Sequence, residues 1–224
     1  EAYRAGLIGD VSQVFALNSG PDMRKESMHF DNPATMPPPT SPIPKGLNWD
    51  LWQGPTKARP FYDGYIRKKW RSFYDYGLGM LGDFGCHTLD TPVWALDLDA
   101  PTMVECISRE KSLKGVIPSG SQIDFHFPAK GDRGPVKLTW FDGPQDWEKV
   151  GRIDQFGLKA ANSLGRACWM VGNKSACEHQ HCVLQRQPRE FWPKFVQEPN
   201  AIFPRASARQ KQICATMGDG KALT

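Results

Sequence analysis

The sequence lacks a long hydrophobic run. No stretch reaches the roughly 18 consecutive apolar residues that a membrane-spanning helix needs, so we expect no membrane partner. No signal peptide is visible, but the chain begins with Glu1 instead of Met, and we expect that the true N-terminus precedes it. The sequence is compatible with a cytoplasmic or an exported protein.

Cysteine is sparse, with six residues in 224 and no C-x-x-C pair. Structural zinc sites usually draw on such pairs, and small disulfide-bonded domains on a denser framework. Cys177, His179 and His181 can share one face of a strand, with Cys182 next in the chain, but one strand cannot surround a tetrahedral ion. We therefore predict reduced thiols and no metal site.

Concentrated positive charge is also scarce. The net charge is +4 with a pI near 8.7, but the basic residues are scattered. The densest cluster is Arg67, Lys68, Lys69 and Arg71, which is thin for a nucleic-acid site and typical of a solvated edge. At 40% hydrophobic and 23% charged residues, the chain has the composition of a globular protein, long enough for one large domain or two small ones.

The most informative stretch is Trp70–Asp90, which contains four glycines (Gly77, Gly79, Gly82 and Gly85) and three polar residues at helical spacing. Asp83 and His87 fall on one face of a helix that begins near Met80, and Asp90 lies one turn further. A histidine between two carboxylates fits the wall of a cleft, with His87 as acid or base. The alternative is a helix N-cap network with a satisfied histidine.

Residues 77–82 match G-x-G-x-x-G, with Asp97 at the distance that the dinucleotide fingerprint requires. That fingerprint must follow a buried apolar strand, and residues 71–76 do not have the sequence pattern of such a strand. We therefore interpret the glycines as positions where the backbone approaches a ligand or another segment.

The rest of the chain predicts strands around a long loop. Residues 21–46 are too rich in proline for a helix or a central strand. Trp49 and Trp52 suggest a short helical turn, used for packing or, less favoured, as a flat wall for a sugar or nucleotide. Alternation of apolar residues predicts strands at 10–17, 102–108, 121–127 and 136–140, a hairpin around residues 172–174, and a final helix at 207–217.

Several motifs together resemble the C-terminal half of the Gfo/Idh/MocA oxidoreductases. They are residues 6–11, GLNWDLWQGP at 46–55, ARPFY at 58–62, the stretch from Trp70 to Glu105, and PVKLTWFDG at 135–143. The resemblance is to the bacterial branch with LNWDLWxGP and GDxGCHxLD, and it covers residues 1 to about 143. Ser175 departs from the family's hairpin, and CEHQHC at 177–182 has no counterpart.

The resemblance implies an α+β domain with an open, mostly antiparallel sheet and helices on one face. We expect one domain over 1–224: the end of a helix at 1–6, the proline-rich loop at 21–46, a substrate-site core at 47–143, and a hairpin, loop and helix at 144–224. The family's other half is a Rossmann domain that binds NAD or NADP, and it is absent from this sequence. The resemblance also implies a homo-oligomer that forms through the other face of the sheet.

By this resemblance, His87 exchanges the hydroxyl proton of a sugar or polyol during hydride transfer, and Asp83 orients it or binds hydroxyls. Asp90 supports the pair, and Trp70, Arg71 and Tyr76 line the pocket. Two function classes stay open: the substrate half of an NAD(P)-dependent oxidoreductase, with NAD-dependent glycoside hydrolysis as a variant, or a non-catalytic binding or oligomerisation domain.

Overall fold

The computed structural model describes residues 3–18, 30–66, 68–143, 166–174, 176–180 and 183–187. Its centre is a seven-stranded sheet. The strands are β1 (Val11–Asn18), β2 (Met103–Arg109), β3 (Ser121–Phe127), β4 (Val136–Asp142), β5 (Arg166–Gly172), β6 (Ala176–Gln180) and β7 (Val183–Gln187). The strand predictions that fall on described residues are confirmed, with shifts of one or two residues at their ends.

The strand order is β2-β3-β4-β1-β5-β6-β7. The neighbours β1 and β4 run parallel, and every other pair in this order is antiparallel. The mostly antiparallel α+β fold is therefore confirmed. The prediction that β3 and β4 form an antiparallel pair is confirmed too, as is the hairpin that joins β5 to β6.

Two helices are described, α1 (Trp49–Gln53) and α2 (Gly79–Ala95), with 3-10 turns at Asp63–Tyr65 and Lys69–Ser72. Asn48 caps α1, since its side-chain oxygen accepts a hydrogen bond from the Leu51 amide at 3.1 Å. Residues 30–48 contain no helix or strand, as the prolines predicted. No helix among the described residues is long and apolar enough to cross a bilayer.

Alternation along the strands gives the sheet an apolar face toward α2. The register places Phe125, Leu138, Val14 and Met170 side by side across four neighbouring strands. These residues pack in one hydrophobic cluster with Met80 at the start of α2. The helix is thereby fixed over the centre of the sheet.

Strand β2 lies at one edge of the sheet and is exposed along all seven residues. In the neighbouring strand β3, Asp124 and Phe127 are buried and the other five residues are partly exposed. Phe15 of β1 and Trp169 of β5, on the face away from α2, are buried. At the N-terminus, the Gly6 amide donates to the Tyr3 carbonyl and closes a turn over residues 3–6. The predicted end of a helix at 1–6 extends beyond the described residues.

Candidate functional site

The candidate site is built on α2, which begins with a left-handed residue. Gly79 has φ +63°, a conformation that glycine adopts without steric cost. A side chain there would place its Cβ 2.4 Å from Ile117 Cγ2, in the connection between β2 and β3. The glycine thus lets the helix start directly against this connection, which explains one of the glycines singled out in the sequence.

Asp83 is partly buried and forms an ion pair with Arg71. Arg71 Nε lies 2.7 Å from Asp83 Oδ2, and the two side chains are 17% and 22% exposed. The guanidinium also stacks on Trp70, with its carbon 4.3 Å from the ring centroid. The structure therefore brings three of the predicted site residues into one contact.

His87 and Asp90 are exposed on the following turns of α2. The His87 ring lies 6.5 Å from the ring of Phe84, centroid to centroid. Helical spacing keeps Asp83, His87 and Asp90 on one side of α2, as predicted. Asp83, His87 and Asp90 thus form one polar side of α2 that a substrate or a further domain can reach. Asp83 lies at its more buried end.

Tyr76 belongs to a different environment from the other predicted site residues. Its ring lies 5.0 Å from Trp52 and 5.3 Å from Tyr65, centroid to centroid, in an aromatic cluster with Trp49. Burial raises the pKa of the Tyr76 hydroxyl. These contacts identify a packing role for Tyr76, and its role in lining a pocket stays a prediction.

The packing interpretation of the two tryptophans fits the structure. Trp49 is buried and stacks on Trp52 at 5.0 Å, and its Nε1 donates a 2.8 Å hydrogen bond to the Arg59 carbonyl. The cluster also contains an ion pair that the sequence did not reveal, with Arg59 Nη2 2.8 Å from Asp75 Oδ2. Arg59 and Asp75 are 16 residues apart, so no local spacing could have indicated it.

His126 lies in β3 on the sheet face away from α2. Its Nε2 is 2.9 Å from Glu105 Oε2 of the neighbouring strand. Among the described residues, no group of three His, Cys, Asp or Glu side chains is placed to hold a metal ion. The side chains of Cys177 and His179, and residues 181 and 182 entirely, lie outside the described part.

The glycine motif at 77–82 lacks the structural setting of a dinucleotide fingerprint. The G-x-G-x-x-G match at 77–82 follows a 3-10 turn at Lys69–Ser72, whereas the fingerprint requires a preceding parallel strand. This agrees with the interpretation that these glycines allow close backbone approach and do not form a dinucleotide fingerprint.

Comparison with known proteins gives one family match. Residues 29–127 match the family model GFO_IDH_MocA_C2, described as "Oxidoreductase family, C-terminal alpha/beta domain". This range contains α1, α2 and the predicted site residues. No curated protein matches the chain.

Two solved structures are similar to the chain at low identity. One is designated as an oxidoreductase from Erwinia carotovora atroseptica, with 11% identity, a TM-score of 0.36, and coverage of 99% of this chain and 59% of its own. The other is the super-repressor mutant of Gal80p from Saccharomyces cerevisiae, with 8% identity, a TM-score of 0.40, and coverage of 98% and 57%. The chain thus spans less than two thirds of either protein.

Proposed function

We propose that this chain, in which residues 29–127 match the model of an oxidoreductase-family C-terminal α/β domain, is the substrate-binding half of an NAD(P)-dependent Gfo/Idh/MocA oxidoreductase. The proposed substrate is a sugar, polyol or glycoside. Hydride transfer would oxidise one of its hydroxyl-bearing carbons to a carbonyl, or reduce that carbonyl in the reverse direction. The nicotinamide, held by another part of the enzyme, supplies hydride chemistry when bound. The observation that carries the proposal is the Asp83–His87–Asp90 side of α2 within the matched range.

The proposed role of His87 is to take or return the proton of the reacting hydroxyl. Histidine is the side chain that most often serves as a general acid or base in enzymes. Its exposed position on α2 supports this role, because a substrate can reach it without displacing core residues. Asp83 is proposed to bind a neighbouring hydroxyl, since carboxylates are strong acceptors for O–H donors.

The charges on this polar side of α2 favour a neutral substrate. Asp83 is paired with Arg71 across 2.7 Å, which leaves the exposed Asp90 as a further negative charge on the same side of α2. The carboxylate of a sugar acid would be repelled by Asp90, whereas a neutral polyol would not be. This supports the sugar and polyol classes over carboxylated substrates.

The proposal is tested on the full-length native protein. Denaturation should release a nicotinamide nucleotide, or the protein should bind one added to it. A panel of neutral sugars, polyols and aryl glycosides is then assayed with NAD+ and NADP+ by absorbance at 340 nm and by product analysis. Glycoside cleavage without net absorbance change would identify the hydrolase variant, and sugar binding without any turnover would favour the non-catalytic binding domain.

A homo-oligomer through the sheet face away from α2 also stays a proposal. At β2 and β3 that face carries Glu105 and His126, both partly or largely exposed. Sedimentation velocity of the native protein tests it, and a monomer at micromolar concentration would contradict it.

A further inference from the structure

Arg71 is held by three groups at once. Its Nε lies 2.7 Å from Asp83 Oδ2, its Nη1 donates a 3.1 Å hydrogen bond to the Lys68 carbonyl, and its guanidinium carbon lies 4.3 Å from the Trp70 ring centroid. A planar guanidinium held by a carboxylate, a carbonyl and a ring has little freedom left to rotate. The Asp83 oxygen that it contacts is restrained in the same way.

The backbone around Arg71 is shaped to make these contacts. Lys68 has φ +75°, a left-handed conformation that a side-chain-bearing residue adopts only under strain. Gly77 passes so close that an added Cβ would lie 2.9 Å from Arg71 Cα and 3.1 Å from Trp70 Cε3. Strain of this kind is retained where the surrounding structure requires a particular geometry, often at functional sites.

We propose that Arg71 is a positioning residue for the reaction assigned to α2. It holds Asp83 through Oδ2, so that Asp83 Oδ1 keeps one orientation for the substrate hydroxyl next to the one that His87 deprotonates. This inference rests on the proposed function. It also explains why an arginine stands there, because a lysine has no planar group that can contact the carboxylate and stack on the ring at the same time.

The kinetic test uses the full-length enzyme with a substrate from the panel. Arg71→Gln and Arg71→Lys should both lower kcat about ten- to hundredfold, the range expected when a reacting group is displaced by about 1 Å, with KM changed much less. Gly77→Ala, which keeps the charge but displaces the Arg71 backbone and the Trp70 ring, should lower kcat in the same way. Lys137→Gln is the control, because Lys137 pairs with Asp124 on the opposite sheet face.

Two kinetic results would overturn the inference. Wild-type kcat in Arg71→Lys would show that a point charge suffices and that positioning is not its role. A raised KM at unchanged kcat, in either Arg71 variant, would show that Arg71 binds the substrate itself.

A second measurement does not depend on turnover. In the 15N-labelled chain, rotation of the Arg71 guanidinium about its Nε–Cζ bond should be slower in the wild type than in Asp83→Asn. Equal rotation rates in the two proteins would overturn the inference even if no panel compound reacts. A wrong substrate class and a wrong role for Arg71 therefore give different results.

Discussion

At the scale of the residue, Asp142 at the end of β4 shows how burial opposes a charge. The side chain is buried, and it accepts hydrogen bonds from Trp140 Nε1 at 2.9 Å and from Ser121 Oγ at 3.1 Å. Burial raises the pKa of this carboxyl above its ordinary value, although the two hydrogen bonds act in the opposite direction. The folded protein therefore holds the Asp142 proton more tightly than the unfolded chain does.

This direction predicts how Asp142→Asn changes stability with pH. A group with a raised folded pKa stabilises the fold below its unfolded pKa, about 4 for aspartate, and loses that contribution as pH rises through the folded pKa. Asparagine has no such titration, and it can accept from Trp140 and donate to Ser121 Oγ. The unfolding free energy of Asp142→Asn relative to wild type should therefore increase from pH 4 to pH 7, measured by urea denaturation. Parallel pH curves for the two proteins would contradict this account.

At the scale of the element, two glycines of α2 make opposite predictions. Gly79→Ala puts a side chain at φ +63° and against Ile117, so it should destabilise the protein by roughly 1–3 kcal/mol. Gly85→Ala has an ordinary helical position, and its Cβ would meet flexible side-chain atoms of Leu81 and Leu89, the nearest at 3.1 Å. It should be neutral or stabilise by up to about 1 kcal/mol through helix propensity. Thermal unfolding of the two variants measures both changes in stability. Equal changes would show that the close approach at Gly79 is unimportant.

Elements with a clear local pattern could be predicted from the sequence. Alternation predicted β3 at its observed bounds, Ser121–Phe127, and the spacing of Asp83 and His87 predicted α2 within one residue of its start. The Asp83–Arg71 ion pair could not be predicted, because Arg71 precedes the helix and reaches it only through the 3-10 turn at Lys69–Ser72. The same holds for Tyr76, whose aromatic partners include Trp52, 24 residues earlier.

At the scale of the whole molecule, the chain order of the strands differs from their order in space. The parallel pairing of β1 with β4 joins Val14 to Leu138 across most of the described chain. No local pattern encodes this register, since it depends on which apolar face packs against α2. The pairing places the apolar faces of β1, β4 and β5 together beneath α2, and so fixes the helix that carries Asp83 and His87.

One substitution in the full-length enzyme most directly tests the proposed role of His87 as the proton-transfer group of an oxidoreductase. His87→Ala should lower kcat by about 10²- to 10⁴-fold, the usual contribution of a general acid or base, with NAD(P) affinity unchanged. His126→Ala is the matched control, because this histidine pairs with Glu105 on the opposite face of the sheet, and its turnover should equal that of wild type. Wild-type turnover in His87→Ala would contradict the account.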